Sequence, residues 1–463
     1  MGLGGGATFV FSRKARALSV QPKPNIIFIL ADDMGLADCS CYGATHIKTP
    51  AIDSLAKNGA LLSQAYANSA VCTASRVAII TGRYQYRVPI GLEEPLDRSK
   101  QLGLPPGHPT LPSALKEMGY RTHLIGKWHL GPLPNFDPLK SGYDYFYGFE
   151  RGSIDYFDHP ELREDYEAVG TPGYLTELLG RRAVEIVHEQ FRSRAPQFMS
   201  LHFSAPHWPW EDPGDEAESK RLTGKSKLHY DGGTLQTYVR MVEAMDRQIG
   251  LLLEALEQTG QAENTIVLFT SDNGGERFSN TWPFTGKKEE LLEGGIRVPA
   301  LISWPGKIPK GLVIEQTAIH MDWLPTFLAA SGEAHEPKLP SDGINLLPFL
   351  VDGADPINRT LFWRYKANAQ RAVREGNYKA LKIAGNTFLF DVVNDPLERA
   401  NLKARLPETY LRLTGKWNEW NRTMLPQIPE SATSAHSGSL WADHITALDV
   451  DPTKIDDGGP WPQ

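Results

Sequence analysis

The chain has 463 residues, of which 41% are hydrophobic, and carries a formal net charge of −7. This length and composition suit a loop-rich globular protein with a large core, and exclude a coiled coil or a disordered chain. The negative charge excludes a general attraction for nucleic acid, so an anionic ligand needs a local cationic pocket. The three cysteines, Cys39, Cys41 and Cys72, exclude a disulfide framework, and the lack of any run of 18 apolar residues predicts no membrane span.

The N-terminal segment 1–23 combines a short glycine-rich apolar stretch with Arg13, Lys14 and Arg16. This pattern falls short of a clear secretion signal. We therefore expect a leader or a disordered N-terminus there, followed by a large α/β domain over 24–345.

Buried strands alternate with helices through that domain. Asn25–Leu30 is an uninterrupted apolar run, which predicts a parallel strand with Asp32 and Asp33 at its carboxyl end. Thr49 as N-cap and Pro50 at the first position predict the start of a helix. The next predicted elements are a helix over 110–118, strands over 121–125 and 197–204, an amphipathic helix over 234–258 and a strand over 265–270. The alternation predicts a large mixed, mostly parallel sheet sandwiched by helices.

The pattern changes in the segment 346–463, which we interpret as a smaller C-terminal subdomain. Short strands separated by tight turns predict an antiparallel sheet. These strands are expected over 361–365, 371–375, 378–383 and 387–392. A helix is expected over 408–422, and the tail beyond Glu430 is expected to extend along the surface.

Cys72 lies at a predicted loop-to-helix junction, within the sequence Cys-Thr-Ala-Ser-Arg that ends at Arg76. An exposed helix start offers free backbone N–H groups and favours a bound anion or a thiolate. A single cysteine, however, is more often a buried structural residue. The residue types alone leave both interpretations open.

Polar side chains follow several predicted strands, where ligands of open α/β sheets bind. They are Asp32 and Asp33, Lys127 and His129, His207, and Asp272 and Asn273. Three carboxylates and an amide suit a hard cation, Ca²⁺ ahead of Mg²⁺, although acidic pairs also occur as ordinary turn residues. Lys127 and His129 are two residues apart and would point the same way on extended backbone. With His207, Arg76 and Lys288 they can form a cationic cluster, or each can be a plain surface or core residue.

Several segments, in this order, resemble those of the sulfatase family of the alkaline-phosphatase superfamily. Besides Cys72–Arg76 they are Pro24–Asp33, Gly126–Gly131, Ala205–Pro209, Ser271–Gly275, Glu293–Pro299 and Asp395–Leu402. The cysteine segment is similar to the family signature Cys-x-Pro/Ala-Ser-Arg, with the less frequent Ala at position 74. The resemblance implies an enzyme that hydrolyses sulfate monoesters, with 24–345 as its catalytic domain.

The resemblance also implies the site. Cys72 would be oxidised by a formylglycine-generating enzyme to formylglycine, whose hydrated aldehyde is the nucleophile. The implied ligands of one Ca²⁺ are Asp32, Asp33, Asp272, Asn273 and the modified Cys72. The implied catalytic and sulfate-binding residues are Arg76, Lys127, His129, His207 and Lys288. Lys288 is chosen over Lys287 because it stands five residues before the Glu-Gly-Gly motif. We assign His207 to protonation of the leaving group. We assign His129 to removal of the proton from the remaining hydroxyl after sulfate transfer, which expels sulfate and restores the aldehyde.

The substrate is the least defined part of this prediction. We expect a sulfated carbohydrate or an aryl sulfate, and a periplasmic or extracellular protein. Alternatives are a phosphoesterase or phosphonate hydrolase of the same superfamily, and a non-catalytic protein that binds sulfated glycans. Aromatic residues near the site can stack on sugars or simply pack loops: Trp208, Trp210, Phe278 and Trp282. Arginines of the predicted C-terminal sheet can bind a second anionic group or be solvated: Arg364, Arg371 and Arg374.

Overall fold

A computed structural model of the protein describes residues 1–2, 22–223, 233–332, 338–434 and 459–461. Most of the expected N-terminal leader, and most of the tail beyond 434, lie outside the described residues. Within the described ranges, no helix has both the length and the apolar character needed to cross a bilayer.

Sixteen strands and ten α-helices make up the described fold. The strands are β1 (Asn25–Ala31), β2 (Ala60–Leu62), β3 (Ala65–Tyr66), β4 (Arg121–Lys127), β5 (Tyr145–Phe149), β6 (Arg163–Glu164), β7 (Glu167–Ala168), β8 (Gln197–His202), β9 (Thr265–Ser271), β10 (Ala300–Ser303), β11 (Leu312–Ile314), β12 (Ala318–Ile319), β13 (Thr360–Tyr365), β14 (Gln370–Glu375), β15 (Tyr378–Ile383) and β16 (Asn386–Asp391). The helices are α1 (Pro50–Asn58), α2 (Cys72–Thr81), α3 (Leu111–Glu117), α4 (Leu175–Gln190), α5 (Glu216–Leu222), α6 (Leu235–Gln258), α7 (Glu293–Ile296), α8 (Trp323–Ala330), α9 (Leu347–Val351) and α10 (Pro407–Asn421).

The main sheet has ten strands in the order β11-β2-β10-β9-β1-β8-β4-β5-β6-β7. The pairs from β9 through β1, β8 and β4 to β5 are parallel. The pairs of β10 with β9, of β10 with β2 and of β5 with β6 are antiparallel. The prediction of a large mixed, mostly parallel sheet is confirmed. The carboxyl ends of β1, β4, β8 and β9 therefore meet at one edge.

Strand β1 is buried on both faces because helices cover the sheet on each side. Ile27 and Ile29 pack in the core formed with α1, α4 and α6. Ile26, Phe28 and Leu30 pack in a second core with α2, α3, α8 and α9. Side chains of a strand alternate between faces, so an apolar run without polar interruptions requires this double cover.

The predicted helix starts are correct, but one predicted cap is wrong. Helix α3 has a hydroxyl cap, since the Thr110 side chain accepts the N–H of Ser113. At α1 the Thr49 side chain caps no backbone N–H. Its hydroxyl instead donates to Asp53 at 3.0 Å and accepts the N–H of Ser40 at 2.8 Å. That hydroxyl therefore joins the preceding loop to the helix.

The C-terminal sheet is the predicted antiparallel meander, with strand order β13-β14-β15-β16 and α10 packed against it. The expectation that its arginines bind an anion or face solvent is wrong. All three are at most 2% exposed: Arg364, Arg371 and Arg374. Their guanidinium groups lie within 5.0 Å of the ring centroids of Tyr86, Trp417 and Tyr66, respectively. They therefore stabilise the packing of this sheet.

The described tail does not simply extend along the surface. Its first part, the tail segment (430–434), pairs with a loop of the main domain, the rim loop (93–101). Glu94 donates its N–H to the Ala432 carbonyl at 3.0 Å and accepts the N–H of Ser434 at 2.9 Å. Further on, Trp461 is 1% exposed. The indole of Trp461 packs edge-on against Trp417.

Candidate active site

Cys72 is the first residue of α2 and is 2% exposed. The preceding loop is closed by Ser75, whose hydroxyl donates to the Ser69 carbonyl at 2.9 Å and accepts the Ser69 N–H at 3.1 Å. The helix start is therefore buried, which decides between the exposed and the buried position that the residue types left open. Burial raises the pKa of the Cys72 thiol to about 11, although Lys127 and Lys288 oppose that rise. The unmodified side chain is thus a protonated thiol at neutral pH.

Asp32 and Asp33 follow β1 and are each bound by a buried lysine. Lys127, at the end of β4, donates to both oxygens of Asp32 at 2.9 and 2.7 Å. Lys288 donates to Asp33 at 2.5 Å. Burial alone would raise the pKa of Asp33, but Lys288 and His207 hold it well below its usual range. The repulsion expected between adjacent aspartates is offset by these two cations.

Asp272 and Asn273 follow β9, the neighbour of β1. Arg76 in α2 donates its Nε to Asp272 at 3.0 Å. Asn273 donates its side-chain amide to Asp33 at 2.8 Å, and the Asp33 N–H donates to Asp272 at 3.2 Å. The sheet edge therefore joins both acidic pairs, as predicted from their positions after buried strands.

The donor set fits a hard cation. Ligand atoms of Asp32, Asp33, Cys72 and His207 lie within 4.8 Å of one another. Asn273 adds an amide oxygen that is buried and has no hydrogen-bond partner. A buried polar atom without a partner is costly, and a bound cation would satisfy it. Carboxylate and amide oxygens are the ligands that Ca²⁺ prefers.

The two histidines have different surroundings. His207 holds Nδ1 2.6 Å from the Trp208 carbonyl, and its Nε2 lies 3.5 Å from Asp33. Burial and Lys288 lower the pKa of His207 to about 4. His129 holds Nε2 3.4 Å from the Leu96 carbonyl, and its buried Nδ1 has no partner. Since a carbonyl only accepts, the free ring nitrogens of the neutral forms are Nε2 of His207 and Nδ1 of His129.

The expectation that Lys127 and His129 point the same way from one strand is wrong. Strand β4 ends at Lys127, and His129 has a left-handed backbone with φ 56°. The His129 N–H donates to the Glu150 carbonyl at 3.1 Å, so this residue turns toward the segment after β5. The extended backbone on which that expectation rests therefore ends before His129.

No sequence pattern predicted two segments that lie beside the site. Residues 150–153 follow β5, the same kind of position that marked Asp32 and Asp272, but β5 itself was not predicted. Gly152 packs so closely that an added Cβ would lie 2.7 Å from the His129 ring. The rim loop carries no strand signal, yet its Leu96 contacts His129. Only knowledge of β5 would have pointed to the first segment.

The aromatic residues near the site divide between the two expected roles. Trp210 is buried and packs edge-on against Phe278, with ring centroids 5.0 Å apart. These two rings therefore support loops. Trp208 lies beside the His207 ring at 4.7 Å, and Trp282 is 63% exposed. Trp282 is the ring of this group that is open to a ligand.

Glu211 supports His207 through one intermediate residue, and we expect it to make stability depend on pH. It accepts the N–H of Tyr156, whose hydroxyl donates to the His207 carbonyl at 2.9 Å. Burial, and then Asp155, raise the pKa of Glu211 to about 8. The folded state therefore holds this proton more tightly than the unfolded state. The stabilisation is complete below the unfolded pKa, near 4.5, and is lost as pH rises through 8.

Glu211→Gln should remove this dependence. Between pH 4.5 and 8 the free energy of unfolding of the wild type should fall by up to about 1.4 kcal/mol per pH unit. The free energy of unfolding of the variant should fall less over the same range. Urea unfolding at pH 5, 6.5 and 8 measures it, with the exposed Glu216→Gln as control. Parallel curves for wild type and Glu211→Gln would contradict the assignment.

Comparison with known proteins gives a consistent result. The family model described as Sulfatase matches residues 24–333. N-acetylgalactosamine-6-sulfatase of Homo sapiens is 33% identical over 389 residues, covering 78% of this chain and 71% of that protein. Arylsulfatase A of Bos taurus is 30% identical over 461 residues, covering 91% and 87%.

Solved structures share the fold over nearly the whole chain. The crystal structure of Ps i-CgsB has a TM-score of 0.80 at 31% identity and covers 91% of this chain and 97% of its own. The same protein was also solved in complex with k-i-k-neocarrahexaose. A phosphonate monoester hydrolase of Agrobacterium radiobacter has a TM-score of 0.63 at 22% identity and covers 85% and 94%, which shows a shared fold alone.

Proposed function

The chain belongs to the sulfatase family and is a sulfuric ester hydrolase, and we propose that it acts on a sulfated carbohydrate through formylglycine at position 72 and one Ca²⁺. The observation that carries this proposal is the buried assembly at the sheet edge. Cys72, three carboxylates and three cations meet there, each at most 6% exposed. No simple structural role requires so many buried charges around one thiol.

The protein would hold the ion with Asp32, Asp33, Asp272 and Asn273. When present, Ca²⁺ and formylglycine supply positive charge and an activated hydroxyl nucleophile. Asn273 supports this role through its unpartnered amide oxygen. These four side chains offer only oxygen donors, whereas transition metals prefer thiolate and histidine ligands.

Arg76, Lys127 and Lys288 are proposed to bind the sulfuryl oxygens. Each cation is held by a carboxylate of the site, at distances between 2.5 and 3.0 Å. Fixed positive charges in a buried site stabilise negative charge that develops in the transition state. Because the side chains are already ordered, little reorganisation accompanies the reaction.

His207 is proposed to protonate the leaving alkoxide. In the neutral ring Nδ1 carries the hydrogen bonded to the Trp208 carbonyl, so Nε2 must take up a proton before it can donate one. A nearby anion raises the pKa of a histidine, and a bound sulfate ester supplies that negative charge. His129 is proposed as a base, because its unpartnered Nδ1 can accept a proton.

The effect of His207→Ala on the rate should therefore depend on the leaving group. We expect a loss in kcat of about 10² to 10⁴-fold on a sugar sulfate, whose alkoxide needs protonation. On 4-nitrophenyl sulfate the loss should be small, since the phenolate leaves without a proton. His129→Ala should lower both rates alike. Steady-state release of sulfate from each substrate measures these effects.

The exposed His188 in α4 provides a matched control, and His188→Ala should leave both rates unchanged. Equal losses on the two substrates for His207→Ala would contradict the assignment of the proton donor. The assignment of the metal ligands would stand, because it does not depend on this step.

The carbohydrate part of the proposal is supported by the relatives. One is named for N-acetylgalactosamine, and one was crystallised with a neocarrahexaose. Release of inorganic sulfate from a panel of defined sulfated oligosaccharides tests it directly. Turnover of aryl sulfates with none of any sugar sulfate would contradict the substrate class while leaving the reaction in place.

A phosphoesterase or phosphonate hydrolase is the second candidate. The described residues contain one cluster of side chains that could hold a metal ion, and one cluster suits a single ion. A preference for phosphate monoesters over matched sulfate monoesters would favour this candidate. The non-catalytic alternative is disfavoured because each implied catalytic position keeps the residue that the family requires.

Maturation and location follow from the same proposal. A formylglycine-generating enzyme would convert Cys72. We propose a periplasmic or extracellular protein, since large sulfated polysaccharides are found outside the cytoplasm. Fractionation of the producing cells, with an activity assay on each fraction, tests the location.

A further inference from the structure

A cavity of about 210 Å³ opens beside His129. Its walls come from the rim loop, from the loop after β4 and from residues 150–152 after β5. His129 lines this cavity and also belongs to the proposed catalytic residues. A group bound in the cavity therefore lies next to the reacting ester.

The walls of this cavity are fixed by contacts to rigid parts of the fold. The rim loop is held to α2, because the Leu96 N–H donates to the Thr73 hydroxyl at 3.0 Å. On its other side Glu94 pairs with the tail segment. Gly152 lies directly against the His129 ring. The cavity is thus formed before a ligand arrives, which lowers the cost of binding.

Two of the lining cations are neutralised by carboxylates. Lys100 donates to both oxygens of Glu93 at 2.8 Å. Arg151 lies 3.2 Å from Glu161. Their charges are already balanced, so neither is the natural partner of a ligand anion.

Arg98 differs from those two cations. Its Nη2 donates to the carbonyl and hydroxyl oxygens of Ser153, at 3.2 and 2.8 Å, and these partners are neutral. The lining acids are engaged elsewhere: Asp97 accepts from Ser99, and Glu150 accepts a backbone N–H of the loop after β4. Arg98 is thus held in place across the cavity, with a positive charge that no described carboxylate bonds.

We propose that this cavity binds the sugar bearing the scissile ester, and that Arg98 selects a sugar with a second anionic group, a carboxylate or another sulfate. This inference rests on the proposed function. A guanidinium group forms charge-assisted, often paired hydrogen bonds with either anion. Arg98 thus acts as a specificity-determining residue outside the catalytic set.

The test compares three substrates that share one sulfated sugar. The first has no other charge, the second carries another sulfate, and the third is linked to a uronic acid. Arg98→Ala should lower kcat/KM on the preferred doubly charged substrate by about 10 to 100-fold and change the singly charged one little. Arg98→Lys should keep part of the preference, because it keeps the charge but not the planar fork. The second and third substrates separate sulfate from carboxylate.

Arg192→Ala is the matched control. Arg192 is also exposed and also donates to a neutral carbonyl, that of Gln258, but it lies near the opposite end of the sheet. This variant should behave as wild type on all three substrates. 4-Nitrophenyl sulfate has no second anion. Arg98→Ala, Arg98→Lys and Arg192→Ala should therefore hydrolyse it at the rate of the wild type.

A binding measurement separates this inference from the proposed function. In the Cys72→Ala background, calorimetry should show tighter binding of the doubly charged sugar, and Arg98→Ala should abolish that difference. Equal losses on all three substrates, or no loss, would overturn the role of Arg98 while sulfate release upholds the function. Absence of turnover with a persisting Arg98-dependent binding preference would overturn the function and uphold the role.

Discussion

Cys72→Ala is expected to lower kcat/KM by at least about 10⁴-fold on every sulfate ester, because removal of a nucleophile eliminates the reaction path that it provides. The fold should survive. Position 72 is the first residue of α2, where Ala is a good helix former, and the change removes a single sulfur atom. Sulfate release and thermal unfolding, measured on the same preparation, check both parts.

Mass spectrometry of the peptide spanning Ser69 to Arg76 provides the chemical readout. Active protein should carry an aldehyde at position 72, whereas protein with an unmodified thiol should be inactive. Cys41→Ala is the control, since this cysteine is only partly buried and lies outside the proposed site. Full activity with an intact thiol at position 72 would contradict the proposed nucleophile.

Asp33→Ala is expected to have the second largest effect. Asp33 is a proposed metal ligand, and it also pairs with Lys288 at 2.5 Å. Its removal weakens the binding of the ion and leaves the buried Lys288 without this partner. We expect kcat/KM to fall by at least about 10²-fold, since the variant loses a charged group of the transition-state environment.

Calcium should also stabilise the wild type, by about 2.7 kcal/mol at a concentration 100 times its Kd. This gain should be absent from Asp33→Ala. Thermal unfolding with Ca²⁺ or a chelator, together with elemental analysis, measures it. Asp352→Ala, at an exposed position, should respond to Ca²⁺ as wild type does. An active Asp33→Ala protein that holds no metal would contradict the site.

The sheet and the positions of the polar clusters were predictable because they depend on local patterns. The apolar run of β1 can be buried only inside a covered sheet, and Asp32 and Asp33 directly follow it. The apolar residues of α6 recur at helical spacing along the helix, so their pattern also indicates where the helix begins and ends. These features need no information about distant parts of the chain.

Other features depend on contacts that the sequence does not display. The arginine Arg374 looks like a surface cation of a short strand, but it is buried over Tyr66, about 300 residues earlier. His129 departs from the strand because its backbone turns at φ 56°. The pairing of Glu94 with Ala432 joins two segments that lack any strand signal. Long-range packing decides all three.

The pairing of the rim loop with the tail segment has a consequence for protein synthesis. The proposed metal ligands and Cys72 have all left the ribosome once the chain extends well past Lys288. The wall of the cavity beside His129 still lacks its partner at that stage, because residues 430–434 have not been made. All the proposed catalytic residues are therefore synthesised before the tail segment that completes this wall. A nascent chain released near residue 345 would contain every proposed reacting group. Its rim loop would lack the backbone pairing with residues 430–434.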